Sequence, residues 1–175
     1  MSARPLLAGK RTVYLAVSLA VVILDQLTKA IVAARIPLHT TIPVIPGFFD
    51  LTHVRNTGAA FGLFATMNGA FRGMFLNAVA FLVFLAVLAY ALRTPLAETR
   101  LQSALTLILG GAVGNLIDRL RYGSVTDFLR FYVQRYEWPS FNVADSAITV
   151  GVLLLAWDIW RRPNEEPSSE RPAAV

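Results

Sequence analysis

The chain has no cysteine among its 175 residues. That absence excludes disulfides, thiolate metal sites and a cysteine nucleophile, and it rules out a lipid attached to a cysteine of this chain. Charge is also scarce: 15% of residues are Asp, Glu, Lys or Arg, where a soluble domain carries roughly a quarter. There are two histidines, His39 and His53. They do not form an HExxH pair, which argues against a zinc protease and any metal site. GxSxG elbows and Walker loops are missing too, and with them serine-hydrolase and nucleotide chemistry of those kinds. The net charge of +5 would suit nucleic acid, but the basic residues form no patch interleaved with stacking aromatics. They lie mostly between apolar runs, as membrane-flanking anchors do.

What the chain does have is apolar residues, 55% of the total, gathered into runs. A helix needs about 20 residues to cross some 30 Å of hydrocarbon. Four stretches meet that length, 13–34, 74–92, 101–117 and 143–160, and they predict a four-helix membrane bundle in a single domain, 1–175. The first stretch resembles a secretory leader, with Lys10 and Arg11 ahead of the apolar run and Val32-Ala33-Ala34 at its end. Asp25 and Lys29 interrupt it before that site, which favours an uncleaved span. Lys10 and Arg11 precede the first span and Arg35 follows it, so both termini are expected in the cytoplasm. Trp157 and Trp160 close the fourth span as interfacial aromatics. The tail 162–175, rich in proline, glutamate and serine, reads as disordered.

The two segments on the outer side are long. Thr40 to Arg55 reads as two short strands around the turn pair Pro46-Gly47. Asn56 to Phe64 is small, glycine-punctuated and apolar, as a segment lying on a membrane surface would be. Tyr122 to Phe141 mixes aromatics with arginines, a composition that suits the headgroup zone.

A charge inside a span needs a partner or a purpose, because it costs roughly 2.5–3.5 kcal/mol at the bilayer centre. Asp25 and Lys29 are one helical turn apart, and read either as a mutually neutralising pair or with Lys29 as a hydrolytic base. Gly110 and Gly114 have the GxxxG spacing of close helix packing. That packing does not account for Asn115, Asp118 and Arg119 just beyond. Arg119 reads equally as a headgroup anchor or as a guanidinium fork for a carbonyl or carboxylate. Asn142-x-x-Asp145 opens the last span like a capping box, and capping alone accounts for it as well as chemistry does. Asp127, flanked by Val125, Phe128 and Leu129, has less to gain from its position. Two carboxylates at one membrane face that share a proton would make an aspartic protease dyad. Asp127 with Asp145 is the pair chosen here, Asp118 remaining in contention, and Asp145 at the helix N-terminus is expected to ionise more readily. A transporter built on Asp25–Lys29 and a membrane scaffold built on the glycine face are the alternatives.

Five blocks, taken in order, strongly resemble the bacterial lipoprotein signal peptidases (signal peptidase II): DQLTK (25–29), RNTGAAFGLF (55–64), GGAVGNLIDRL (110–120), VTDF (125–128) and FNVADSAITVG (141–151). The resemblance implies an intramembrane aspartic endopeptidase of the bacterial inner membrane, with its active site near the periplasmic face. Such an enzyme removes signal peptides immediately before a diacylglyceryl-modified cysteine, without cofactor or metal. It implies Asp127 and Asp145 as the catalytic pair rather than Asp118. Asn56, Gly58, Asn115, Arg119 and Asn142 would bind substrate or shape the site, with Asp25, Lys29 and Asp118 in support. Asp118 is expected to orient local structure through Arg119. A small extracytoplasmic β-cradle and a surface helix are implied from Thr40–Phe64 and parts of Tyr122–Phe141. Diacylglyceryl-modified prolipoproteins and membrane lipids are the implied partners, globomycin the implied inhibitor, and a monomer the implied state.

Overall fold

A computed structural model describes the backbone of residues 4–58 and 69–161, and side chains within 9–58 and 73–161. Four helices dominate it: α1 (Arg4–Arg35), α2 (Gly69–Arg93), α3 (Thr99–Tyr122) and α4 (Val143–Arg161). All four are long and apolar enough to cross a membrane. The apolar runs set where they lie, and the breaks between them are local. Pro95 follows α2, and Gln102 Nε2 donates to the terminal carbonyls of that helix, Thr94 O at 2.8 Å and Ala91 O at 3.1 Å. Gly123 ends α3 in the left-handed region (φ 68°), its N–H bonded to Arg119 O, as a C-terminal glycine allows at little steric cost. The third helix is longer than its apolar run. It continues to Tyr122, so Asp118 and Arg119 lie within it rather than past its end.

Four strands form the rest: β1 (Thr41–Ile45), β2 (Phe49–Asn56), β3 (Val125–Val133) and β4 (Tyr136–Glu137), antiparallel in the order β1-β2-β3-β4. Pro46-Gly47 makes the predicted turn, with Gly47 at φ 81° and Phe48 N bonded to Ile45 O. Proline at the second position and a positive-φ glycine at the third are what a type II turn requires. The segment 122–141, interfacial by composition and part of a β-cradle by resemblance, is the end of α3 followed by a β-hairpin. Of its two arginines, Arg130 is paired on the sheet: it grips Glu137 through two 2.8 Å contacts and reaches Asp50 at 3.4 Å. The expected surface segment falls on residues 59–64 and the expected disordered tail on 162–175, both outside the described residues.

Helix α3 is the hub and packs on each of the other three helices. It carries most of the buried helical positions, whereas the span in α2 has none. Small residues set the helix spacing. A Cβ on Gly110 would lie 2.9 Å from Ser18 O of α1. One on Gly111 would collide with Ala144 O of α4, and one on Gly151 would lie 2.8 Å from Ala104 O. Contacts this close are how helices associate where lipid removes most of the hydrophobic driving force. A separate apolar cluster of Val32, Ile36 and Phe128, with Leu51, Leu129 and Val143 against it, joins the sheet to the ends of α1 and α4.

Gly111→Leu is expected to cost about 1–3 kcal/mol or more by overpacking the α3–α4 seam. Gly73→Ala in α2, whose Cβ would meet nothing within 4 Å, should leave the unfolding midpoint unchanged or slightly raised. Thermal unfolding in detergent micelles distinguishes the two.

Candidate active site

The end of the bundle that meets the sheet holds a buried polar network, and Lys29 is its centre. Its Nζ lies 2.8 Å from Asp25 Oδ2, 3.0 Å from Asn115 Oδ1 and 3.5 Å from Asp118 Oδ2. An ammonium has three N–H bonds, so these contacts occupy all of them and leave none for a serine. Lys29 is 4% exposed, and Asp25 and Asp118 are 0% and 2%. A charge this deep is tolerable only when it is paired and hydrogen-bonded. The carboxylates are satisfied further. Asp25 Oδ1 accepts from Ala144 N at 3.0 Å, and Asp118 Oδ2 accepts from Thr126 N at 2.9 Å. Gln26 Nε2 lies 3.2 Å from each of these side chains and 3.1 Å from Gly114 O. Gly114 is open for a reason: a Cβ there would lie 2.6 Å from Asp25 Oδ2. Asp118 therefore bonds to Lys29, Gln26 and the Thr126 N–H, and its charge also acts on the Arg119 guanidinium.

From Lys29 the network runs outward through asparagines. Asn115 accepts from Lys29, which turns its Nδ2 toward Asp145 Oδ1 at 2.7 Å. Asn142 is fully buried, and its Nδ2 lies 2.8 Å from Asp127 Oδ1 and 3.2 Å from both Asn115 Oδ1 and Thr126 O. The same residue caps α4 reciprocally: Asp145 N donates to Asn142 Oδ1 at 2.9 Å, and Asn142 N donates to Asp145 Oδ2 at 3.2 Å. The capping reading of Asn142-x-x-Asp145 is thus correct geometrically, and the cap also holds Asp127 through the other end of its amide. Asp127 Oδ2 accepts from Asn56 Nδ2 at 3.0 Å, and Asn56 Oδ1 in turn accepts from Gly58 N at 2.8 Å. Gly58 sits at φ 88° with Leu76 tight against it, so both its conformation and the space around it favour glycine.

The sheet delivers Asp127 to this point. In the β2–β3 register Val54 faces Asp127 and Asn56 faces Val125, which sets the Asn56 amide beside the carboxylate. Phe141 pairs with Leu129, and its O accepts from both Phe128 N and Leu129 N, which docks the entry to α4 against β3. Asn142 is the next residue. Burial is the main influence on Asp127, lifting it from the ordinary 3.8 to about 7; Asn56 and Asn142 pull it down and Asp145 pushes it up. A carboxyl at that value holds and releases a proton near neutrality.

Two hollows flank the pair. On the Asp145 side a cavity of about 290 Å³ lies between α2, α3 and α4, walled by Val83, Phe84, Val87 and Ile148, with Asn115, Arg119 and Asp145 at its polar end. On the Asp127 side an open groove of about 290 Å³ is lined by Val54, Arg55, Asn56, Thr57, Pro139 and Ser140. Arg55 was quoted within a motif but given no role by the sequence. Thr126 and Gln26 were missed because one contributes a backbone N–H and the other looks like an ordinary polar helix residue.

Lys29→Met would leave two buried carboxylates without their cation and is expected to cost about 3–5 kcal/mol. Adding Asp25→Asn and Asp118→Asn to it should restore part of the loss, a coupling that thermal unfolding of the four variants measures.

The described arrangement has close counterparts among known proteins. The signal peptidase (SPase) II family matches residues 17–161. The chain is 50% identical over 143 residues to a lipoprotein signal peptidase of Desulforapulum autotrophicum, covering 82% of this chain and 88% of that protein. It is 44% identical over 146 residues to the corresponding protein of Syntrophus aciditrophicus, with 83% and 91% covered. A bacterial membrane enzyme solved by the in meso method at 1.9 Å resolution superposes with a TM-score of 0.76 at 32% identity, over 87% of this chain and 95% of that one. With the family spanning the helices, the sheet and every residue of the network, the chain belongs to signal peptidase II: it is a membrane peptidase, a hydrolase that removes signal peptides from prolipoproteins.

Proposed function

We propose that Asp127 and Asp145 are the catalytic pair, and that the bond they cut lies immediately before a diacylglyceryl-modified cysteine of the prolipoprotein. The observation that carries this reading is Asn142, whose side-chain amide donates to Asp127 while its backbone N–H donates to Asp145. One fully buried residue thus registers both carboxylates, Asp145 at the polar end of the apolar cavity and Asp127 on the open groove.

Asp127, with its value raised to about 7, carries the shared proton at neutral pH. Asp145 accepts from Asn115 and Asn142 at the N-terminus of α4 and takes the role of base. In the first step water adds to the scissile carbonyl, giving up a proton to Asp145 as Asp127 protonates the carbonyl oxygen. In the second, the C–N bond breaks, Asp145 returns its proton to the leaving cysteine amine, and Asp127 recovers its own from the hydroxyl. Two carboxyls and one water balance the reaction, and no metal or cofactor takes part.

Asn56, Gly58, Asn115, Arg119 and Asn142 are proposed to shape the site and contact substrate, with Asp25, Lys29 and Asp118 as their scaffold. Arg119 at the polar end of the helix cavity offers a fork to a carbonyl, and the apolar walls suit acyl chains. The distribution of basic residues supports a multi-pass protein of the bacterial inner membrane with cytoplasmic termini and the sheet on the periplasmic side. The whole, 1–175, is read as one domain acting as a monomer among membrane lipids and open to block by globomycin.

Asp127→Asn and Asp145→Asn should each lower cleavage of a synthetic diacylglyceryl-cysteine peptide by about 10²–10⁴-fold or more while the protein still inserts and folds. Full activity in either variant would reject the pair. Because the protonated form of Asp127 is the acid, kcat/KM should fall as pH rises through about 7. Asn142→Ala removes a donor that favours the ionised form, so the descending limb should move to higher pH, with about 1 kcal/mol lost from the α4 cap.

A further inference from the structure

The substrate is one chain with two unlike halves, and the catalytic pair lies between two unlike hollows. The signal peptide and the acyl chains on the cysteine are the apolar part and suit the side of the cavity between the helices. The mature segment beyond the cysteine is bound for water, and the groove on the Asp127 side is the polar one. Arg55 is the charged residue of that groove besides Asp127. It stands directly before Asn56, the donor to Asp127, and opposite Thr126 in the β2–β3 register.

Arg55 is held but not satisfied. Its guanidinium lies over the Tyr122 ring, 4.2 Å from the centroid, which fixes the plane of the fork at little entropic cost. Its Nη1 is buried without a hydrogen-bond partner. Among the described residues no carboxylate pairs with it, whereas Arg130 on the same sheet is gripped by Glu137 and Asp50. A buried guanidinium donor left unmade is costly, and an incoming acceptor would recover that cost. Behind it lies a recess of about 60 Å³ lined also by Lys29, Asp118, Arg121 and Tyr122; Lys29 and Asp118 offset each other, which leaves Arg55 and Arg121 as the groups that favour an anionic partner.

Resting on the signal peptidase reading, we propose that Arg55 is a specificity-determining residue. It receives the first residues of the mature lipoprotein after the cysteine, and prefers acidic side chains there over basic ones. A peptide in extended conformation advances about 3.3 Å per residue, so the two residues after the cysteine are those that reach a groove beginning at Asp127.

The test uses the full chain in detergent micelles and three diacylglyceryl-cysteine peptides, alike except for Asp-Asp, Ser-Ser or Lys-Lys after the cysteine. The wild type should favour Asp-Asp over Lys-Lys by roughly five-fold in kcat/KM, the scale of a partly screened ion pair, with the ratio shrinking at high salt. Arg55→Gln should bring the ratio close to one, Arg55→Glu should invert it, and Arg55→Lys should keep its sign. Equal cleavage of the three peptides by the wild type would overturn the proposal without any variant. So would a ratio unchanged in Arg55→Gln, which would leave Arg55 as packing against Tyr122. Failure of the wild type to cut any of the peptides would instead reject the peptidase reading on which the proposal stands.

Discussion

A lysine ammonium enclosed by two carboxylates inside a helix bundle is the constraint from which the rest of this molecule follows. Lys29, Asp25 and Asp118 are almost wholly withdrawn from water, so each depends on the others and on the N–H groups turned toward them. That dependence dictates geometry. Asp25 must meet the N-terminus of α4 at Ala144, Asp118 must meet the first turn of β3 at Thr126, and Gly114 must lack a side chain for Asp25 to fit. A buried ion pair is weak support for stability on its own account. Here its worth lies in fixing three helices and a strand in one register.

The candidate catalytic carboxylates hang from that core by amides. An asparagine is suited to the task because its oxygen and nitrogen are committed separately: once Lys29 claims the Asn115 oxygen, the nitrogen has one remaining orientation, toward Asp145. Asn142 extends the same logic to Asp127 and adds the cap of α4. Asp127 is kept nearly dry while neutral amides, rather than cations, hold its oxygens, which is why burial prevails and its proton is retained near neutrality.

Much of this was legible in the sequence, and the limits have physical causes. The spans were visible because apolar composition alone decides whether a helix crosses a bilayer, although the polar end of α3 hid four or five further residues of helix. The Pro46-Gly47 turn and the Asn142–Asp145 cap are local patterns and were found as such. The placing of Asp127 and Asp145 on one asparagine is not local: it comes from the Leu129–Phe141 bridge and from β2 lying beside β3, neither of which leaves a periodic trace. Asp118 was assigned to Arg119 because they are neighbours in the chain, whereas on a helix adjacent side chains diverge, and its partners came from α1 and β3. Arg55 was hidden by its ordinariness, since an arginine at the end of a strand draws notice only when no carboxylate is found to meet it.

The reciprocal cap on α4 bears on how the protein is made. Chains emerge from the ribosome in order, and α4 is the last of the four helices to do so. Until it arrives, Asp127 lacks the Asn142 amide, Asp25 lacks the Ala144 N–H and the second carboxylate does not exist. With Asp127 and Asp145 as the proposed pair, a nascent chain with three helices in the membrane lacks both the completed network and one of its two carboxylates. On that reading the site is completed only when the final helix packs against the α3 glycines, so assembly of the bundle and assembly of the site are one event.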